Sequence, residues 1–204
     1  NVFHVGLGWD VNVDASSEDF DLDVSAFMLN ANKKTPADDY LVFYNSEKRL
    51  KVYLSGTNKW ELVKPLQIVP YTNWSSNDDM RSQSRPVDPE LSVIGSIDDE
   101  DGTTSEDGDD ETMDIDLSKV REDIQEIIIT VSIHKYAERK QNFGQVERAY
   151  VRLYRPGQEA DGQGEFIYDL TEDYSTCASV EFCRLYRYKG EWKIQATGGG
   201  HQGG

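Results

Sequence analysis

The sequence contains few of the residue types that bind soft metals or carry out covalent catalysis. Among its 204 residues are two cysteines, Cys177 and Cys183, and three widely separated histidines, His4, His134 and His201. Two cysteines at this spacing, without a set of histidine partners, make a poor zinc site. We interpret them as reduced, buried thiols of a cytosolic protein, the alternative being a disulfide.

Long apolar runs and basic residues are also scarce. No run approaches the ~20 apolar residues that a membrane-spanning helix needs, and the first residues, NVFHVGLGWD, lack the pattern of a signal peptide. Lysine and arginine number 21 against 38 aspartates and glutamates, so the net charge is −17. This charge repels phosphate backbones and argues against nucleic acid as a partner, while an anionic bilayer would need bridging cations.

Two-residue alternation of apolar and polar side chains is abundant. In DFDLDVSAFML, residues Phe20, Leu22, Val24 and Ala26 share one face, as expected for a β-strand. EIIITVSIH and QVERAYVRLYR alternate in the same way, and clusters of glycine, aspartate and asparagine separate the runs. We therefore predict a mostly β protein, an antiparallel β-sandwich forming a single domain over residues 1–204.

Four segments depart from this pattern. STCASVEFCRLYRY predicts a short helix near residues 175–187, and DYLVFYN a more fully buried strand. Residues 46–95 are interpreted as an insertion, a β-hairpin around SGTN followed by a polar loop. The insertion's aromatic residues could contact a partner or pack on the sandwich; they are Tyr53, Trp60, Tyr71 and Trp74. The glycine-rich end, residues 198–204, is expected to be flexible.

Carboxylates are crowded into two places. Residues 96–116 include eleven acidic residues and no basic one, which indicates either a solvated loop or a bound cation. Asp19, Asp21 and Asp23 project from one side of a strand, where alternate side chains originate ~6.6 Å apart. Two such carboxylates can converge on one hard cation, whose oxygen ligands lie ~2.3–2.6 Å away. Asp10 adds an oxygen donor in the preceding loop.

The available ligands select the kind of cation. Gly102 and Gly108 allow sharp turns in the acidic loop, and residues 103–105 add neutral oxygens. A set of oxygen ligands selects calcium or magnesium, and a flexible loop with many protein ligands favours calcium. The glycine and acid spacing does not fit an EF-hand, so a calcium site here would be of another kind.

Several blocks of the sequence together resemble a known family. VGLGWD, DFDLDVSAFML, GDDE, DLSKV, YVRLY and YDLTEDYST occur in the order found in the TerD-like tellurium-resistance, or chemical-stress, family. The resemblance covers about residues 2–45 and 96–204. It implies a calcium-binding β-sandwich that works in a cytoplasmic stress-response complex, with other stress-response proteins as partners and the inner membrane surface as one place of action.

The resemblance, with the spacing above, also gives a ligand set. Asp101 stands where the family commonly has asparagine, and Thr104 and Glu106 replace expected glycines. The number of acids is consistent with two calcium ions, although one site remains an alternative. The proposed metal ligands are Asp10, Asp21, Asp23, Asp101, Asp107, Asp109, Asp110, Glu111 and Asp169.

The same residues leave three functions to compare. A non-enzymatic calcium-binding module, whose acidic end docks a partner, agrees best with the resemblance. A calcium-dependent membrane-surface adaptor is the main alternative. A metal-dependent phosphoesterase is less favoured because no lysine or arginine lies within residues 96–116 to bind a substrate phosphate. His134 has no nucleophile motif beside it, and we interpret Phe143 and Val146 after it as core residues.

Overall fold

The computed structural model describes residues 1–14, 17–54, 58–63, 84–105, 108–160 and 162–203. Its helical segments are each about one turn long: Asp38–Tyr40, Tyr136–Arg139, Phe143–Gln145 and Leu170–Asp173. None of the helices in the described ranges is long and apolar enough to cross a bilayer. The strands are β1 Val2–Gly8, β2 Leu22–Asn30, β3 Leu41–Val42, β4 Lys48–Leu54, β5 Lys59–Val63, β6 Arg85–Pro86, β7 Val93–Ile94, β8 Glu111–Asp116, β9 Ile124–Ile133, β10 Tyr150–Tyr154, β11 Phe166–Asp169, β12 Ser179–Tyr188 and β13 Glu191–His201.

The strands form two five-stranded antiparallel sheets arranged as a sandwich, which confirms the predicted fold class. One sheet has the order β11-β10-β1-β8-β7 and the other β13-β12-β9-β2-β3, while β5-β4-β6 form a smaller sheet. Both large sheets contribute to one apolar core. In β9, Ile127, Ile129 and Val131 are fully buried, as their alternation predicts. Each such side chain stabilises the fold by about 1.5–3 kcal/mol.

The helix predicted near residues 175–187 is wrong, because most of that segment is strand β12. β12 pairs with β9 and β13, and the register shifts between Glu181 and Cys183. Phe182 and Cys183 are therefore both buried although they are adjacent. Such a bulge breaks the two-residue period on which the sequence argument depends. Both cysteines are free thiols, as predicted, with Cys183 buried and Cys177 half-buried.

The prediction of a flexible tail at residues 198–204 is wrong for residues 198–201, because strand β13 extends to His201. Gly200 of β13 pairs with Val180 of the neighbouring strand β12. A Cβ atom at Gly200 would lie 2.7 Å from Cys177 Sγ and 2.8 Å from Tyr174 Cδ1. The glycines therefore let an aromatic ring and a thiol lie against the strand, which is a packing role rather than a sign of disorder.

The structure describes residues 46–54, 58–63 and 84–95 of the predicted insertion. Its hairpin is present, because β4 and β5 pair antiparallel, and β6 returns to β4. β7 pairs with β8 and so belongs to a main sheet. Asp88 is fully buried, and it accepts hydrogen bonds from the backbone N–H groups of Ser92 and Val93 at 2.7 Å. Of the insertion's aromatic residues, Tyr71 and Trp74 lie outside the described residues, as do the side chains of Tyr53 and Trp60.

The segment DYLVFYN is less strand-like than predicted. Only Leu41–Val42 form a strand, after the one-turn 3-10 helix Asp38–Tyr40. Tyr40 and Val42 are buried, but Tyr44 is 38% exposed. The charges of Asp23, Asp21 and Asp98 act on the Tyr44 hydroxyl, so Tyr44 lies at the end of the sandwich where these acidic residues are.

Candidate metal centre

The structure brings Asp21 and Asp23, at the start of β2, together with the acidic loop at one end of the sandwich. One carboxylate oxygen from each of Asp21, Asp23 and Asp98 lies within 4.8 Å of the other two. We call these three residues the carboxylate cluster. Asp21 and Asp23 are largely buried, whereas Asp98 is exposed. Asp19, the first acid of the same strand segment, is exposed and lies outside the cluster.

The fold of β2 explains why two of the acids converge. Leu22 is fully buried in the core, so the flanking Asp21 and Asp23 point to the opposite side of the strand. The N–H of His134, just after β9, donates to the carbonyl of Asp21 at 2.8 Å. Asp23 pairs in register with Ser132. Both aspartate backbones are therefore fixed by the neighbouring strand.

Glu111, the first residue of β8, lies beside the cluster. Its Oε2 accepts a hydrogen bond from the N–H of Val24 at 3.3 Å, and its side chain is buried. Burial first, and then the charge of Asp23, raise the pKa of Glu111 well above its usual value. An ionised Glu111 is therefore disfavoured beside the carboxylates of the cluster.

The carboxylates of the cluster destabilise one another when ionised. Burial raises the pKa of Asp23 to about 8, with Asp21 and Asp98 as further causes. Burial and then Asp98 raise the pKa of Asp21 to about 6. Arg139 and Lys48 lower these values only in part. The side chains that surround the cluster therefore do not neutralise it.

Asp21 also carries a buried oxygen without a partner. Its Oδ1 is inaccessible to solvent and receives no hydrogen bond from the described residues. A buried carboxylate oxygen left in this state costs free energy unless a donor or cation is supplied. Hard, oxygen-only ligands suit calcium, so these residues fit the ion that the family resemblance implies.

Two other acids of the loop shape it through backbone hydrogen bonds. Asp99 Oδ1 accepts from the N–H groups of Asp101 and Gly102 at 3.0 and 2.8 Å. Burial opposes ionisation of Asp99, but hydrogen bonds, including those from Thr104, lower its pKa overall. Asp99 therefore folds the loop on itself.

Asp110 joins the same loop to the end of β1. Its Oδ2 accepts from the N–H of Trp9 and its Oδ1 from the N–H of Ser105, both at 2.9 Å. Burial nevertheless raises the pKa of Asp110 to about 6. Asp110 was predicted as a ligand, but both its oxygens are engaged with backbone N–H groups.

Three predicted ligands are directed to other partners and do not join the cluster. Asp10 pairs with Arg148 at 2.8 Å, and Asp109 pairs with Arg152 at the same distance. Asp169 caps the helix Leu170–Asp173 by accepting from the N–H of Glu172 at 2.9 Å. An arginine or a backbone N–H group already engages the oxygens that a cation would need at these three residues, and their role as ligands stays a prediction.

The other members of the predicted set are less constrained. Asp101 is half-buried, and its Oδ1 accepts from the N–H of Thr103 at 3.1 Å. Asp107 lies outside the described residues. Asp98 is in the carboxylate cluster but not in the predicted ligand set, because a run of consecutive acids gives no signal for which one turns towards β2. The predicted core residues Phe143 and Val146 are fully buried.

Comparisons with known proteins agree with the fold and with the resemblance. The family model described as TerD domain matches residues 1–61 and 78–204, so the unmatched segment is narrower than the predicted insertion. Tellurium resistance protein TerD of Serratia marcescens is 37% identical over 202 residues, covering 98% of this chain and 81% of that protein. General stress protein 16U of Bacillus subtilis is 34% identical over 200 residues, with the same coverage.

A solved structure supports the same fold. The crystal structure of a homologue of telluride resistance protein (TerD) from Streptomyces coelicolor superposes with a TM-score of 0.63. The match covers 98% of this chain and 89% of that chain at 16% sequence identity. At this identity the likeness concerns the fold alone.

Proposed function

The chain belongs to the TerD domain family, and we propose that it is a non-enzymatic calcium-binding module of a tellurium and chemical stress-resistance system. Relatives of the chain are named as tellurium resistance, general stress and chemical-damaging agent resistance proteins. In this proposal Asp21, Asp23 and Asp98 hold a calcium ion. The ion supplies positive charge where the described side chains supply too little.

The observation that carries the proposal is the state of the cluster. Three carboxylates approach within 4.8 Å, and Asp21 Oδ1 is buried without a hydrogen-bond partner among the described residues. Ionised together, these groups repel one another. A divalent cation would relieve both problems and fix the loop that carries Asp98 against β2. The ordered end of the sandwich would then dock another protein of the stress response.

Calcium titration calorimetry tests the proposal directly. We expect wild-type protein freed of metal on a chelating resin to bind calcium with a dissociation constant of ~10⁻⁷–10⁻⁵ M. A hundredfold excess over that constant should stabilise the fold by about 2.7 kcal/mol. Asp21→Asn and Asp98→Asn should weaken binding by roughly tenfold or more, because ligand charge sets affinity.

Asp19→Asn is the matched control, because Asp19 belongs to the same strand segment but is exposed and outside the cluster. It should bind calcium as the wild type does. Absence of calcium heat together with an unchanged melting temperature would refute the proposal. Equal losses in the Asp19 and Asp21 variants would show that calcium binds only diffusely to the acidic surface.

A calcium-dependent adaptor at an anionic membrane surface is a second candidate function. It is favoured by Tyr44 and Ile97, which are each 38% exposed. Ile97 precedes Asp98, and the charges of Asp23 and Asp21 contribute to the raised pKa of Tyr44 after burial itself. Sedimentation with phosphatidylserine vesicles that requires calcium would support this function. Sedimentation that is equal with and without calcium, or absent in both, would argue against it.

A further inference from the structure

Arg152 forms a buried ion pair with the acidic loop. This residue lies in the middle of β10, and its side chain is 3% exposed, while that of Asp109 is 7% exposed. Arg152 Nη2 donates to Asp109 Oδ2 at 2.8 Å, and Nε donates to Oδ1 at 2.9 Å. The hydroxyl of Tyr150 donates to the same carboxylate at 2.8 Å. Asp109 is thus held by two neighbouring side chains of β10.

The remaining donors of Arg152 hold a second segment, the connection between β10 and β11. Nη1 donates to the carbonyls of Ala160 and Gln163 at 2.7 and 3.0 Å. Nη2 also donates to the carbonyl of Glu159 at 3.1 Å. All five N–H groups of the guanidinium are therefore used. The Arg152 side chain therefore links the acidic loop to the β10–β11 connection, which is distant from that loop in sequence.

The glycines of VGLGWD make room for this arrangement. A Cβ atom at Gly6 would lie 2.2 Å from Asp109 Oδ2, and one at Gly8 would lie 2.6 Å from Tyr150 Cε1. Both glycines belong to β1, the strand between β8 and β10. Glycine is required here because a carboxylate and a ring lie directly over the backbone.

Asp109 is connected to the carboxylate cluster through the next two residues. Asp110 holds the N–H groups of Trp9 and Ser105. Glu111 holds the N–H of Val24, the residue after Asp23. Residues 109–111 therefore have one end fixed by Arg152 and the other fixed beside the cluster. Asp98 and Asp109 lie at opposite ends of the acidic loop. Displacing Asp109 would therefore release one end of the loop that carries Asp98.

We propose that Arg152 is a positioning residue for the cation site, and that through it calcium binding is coupled to the order of the β10–β11 connection. This inference rests on the proposed function, because it concerns the same site. Coupling is reciprocal for equilibrium binding. Calcium should therefore order the connection, and loss of the Arg152 contacts should weaken calcium binding.

Two measurements on the full chain test the coupling. Calorimetry gives the calcium dissociation constant, and amide hydrogen exchange with and without calcium reports the connection. Suitable reporters are the amides of Gln158 and Gln163, which donate within it to the carbonyls of Arg155 and Ala160 at 3.0 and 3.1 Å. In wild type, calcium should slow exchange at both amides. In Arg152→Gln the slowing should disappear, and the dissociation constant should rise at least about fivefold.

Two further variants separate positioning from general stability. Gly6→Ala retains every charge but displaces the Asp109 carboxylate, so it should raise the dissociation constant in the same direction even if Arg152→Gln folds poorly. Arg184→Gln removes a different ion pair, that with Glu126 at 2.6 Å, and should leave calcium affinity and exchange at Gln158 unchanged. A loss of affinity in this control equal to that in Gly6→Ala would overturn the inference.

The outcomes also separate the inference from the proposed function. If wild type binds calcium, but exchange at Gln158 and Gln163 does not respond and Gly6→Ala binds normally, the coupling is refuted while the calcium site stands. If wild type shows no calcium heat, the proposed function fails and the inference fails with it.

Discussion

Replacing Asp23 by asparagine should stabilise the protein without calcium and destabilise it with calcium. The pKa of Asp23 in the calcium-free fold is about 8, against an ordinary value of 3.8. Burial is the first cause, followed by Asp21 and Asp98. Asparagine has nearly the same shape but carries no charge. Asp23→Asn therefore removes the repulsion and also removes a ligand.

The sign of the pH dependence follows from these values. Between pH 4 and pH 8 the folded chain retains a proton on Asp23 that the unfolded chain releases. The free energy of unfolding of the calcium-free protein should therefore fall as pH rises through this range. The difference between the two pKa values corresponds to at most about 6 kcal/mol. For Asp23→Asn we expect a gain of about 2–4 kcal/mol at pH 8, and a smaller gain at pH 5.

Urea denaturation at pH 5 and pH 8, with metal removed or with saturating calcium, measures these changes. Without calcium, the midpoint of Asp23→Asn should exceed that of wild type, by more at pH 8 than at pH 5. With calcium, wild type should be the more stable. Asp19→Asn, an exposed neighbour outside the cluster, should change neither comparison. Destabilisation by Asp23→Asn at both pH values without calcium would refute the electrostatic reasoning.

Three further predictions concern parts of the fold away from the cluster. Gly200→Ala should lower the free energy of unfolding by about 1–3 kcal/mol through overpacking, as measured by urea titration. Gly199→Ala is the control, because a Cβ atom there would have its nearest neighbour at 3.7 Å, and it should cost clearly less. Asp88→Ala should lower stability by about 2–3 kcal/mol, because it leaves buried N–H groups unpaired; an unchanged urea midpoint would contradict this. Burial raises the pKa of the Cys183 thiol. Ellman's reagent should therefore modify Cys177 in the native protein and Cys183 only after unfolding. Equal reactivity of the two thiols in the native protein would contradict the structure.

The sandwich could be predicted from the sequence because a strand with one buried face has apolar residues at every second position. Ile127, Ile129 and Val131 alternate with half-buried residues along β9, and the period is visible without any tertiary information. The meeting of the DFDLD strand with the acidic loop was predicted for a related reason. A shared cation was one of the two explanations considered for the crowded carboxylates, and it required the two sets to meet. The structure places members of both sets within 4.8 Å.

The errors arise where tertiary contacts override the local pattern. The bulge between Glu181 and Cys183 hides the period of β12, so that a strand resembled a helix. The run Gly198–Gly200 suggested flexibility because the Tyr174 ring and the Cys177 thiol that pack against it come from elsewhere in the chain. The ion pair between Asp109 and Arg152 was not predicted, because the two residues are 43 positions apart in sequence. No spacing rule connects these two residues.

Among the described residues, the crowding of acids is relieved in two different ways, and the carboxylate cluster has neither in full. Asp109 and Asp114 are paired with Arg152 and Arg85, each at 2.7–2.8 Å. Asp99 and Asp110 accept backbone N–H groups, which offset charge without adding a cation. The carboxylate cluster differs because Asp21 Oδ1 is buried and has no hydrogen-bond partner among the described residues. Since ionisation of this cluster opposes folding, we expect a divalent cation to add more stability there than at the described acids that arginine or backbone N–H groups already neutralise.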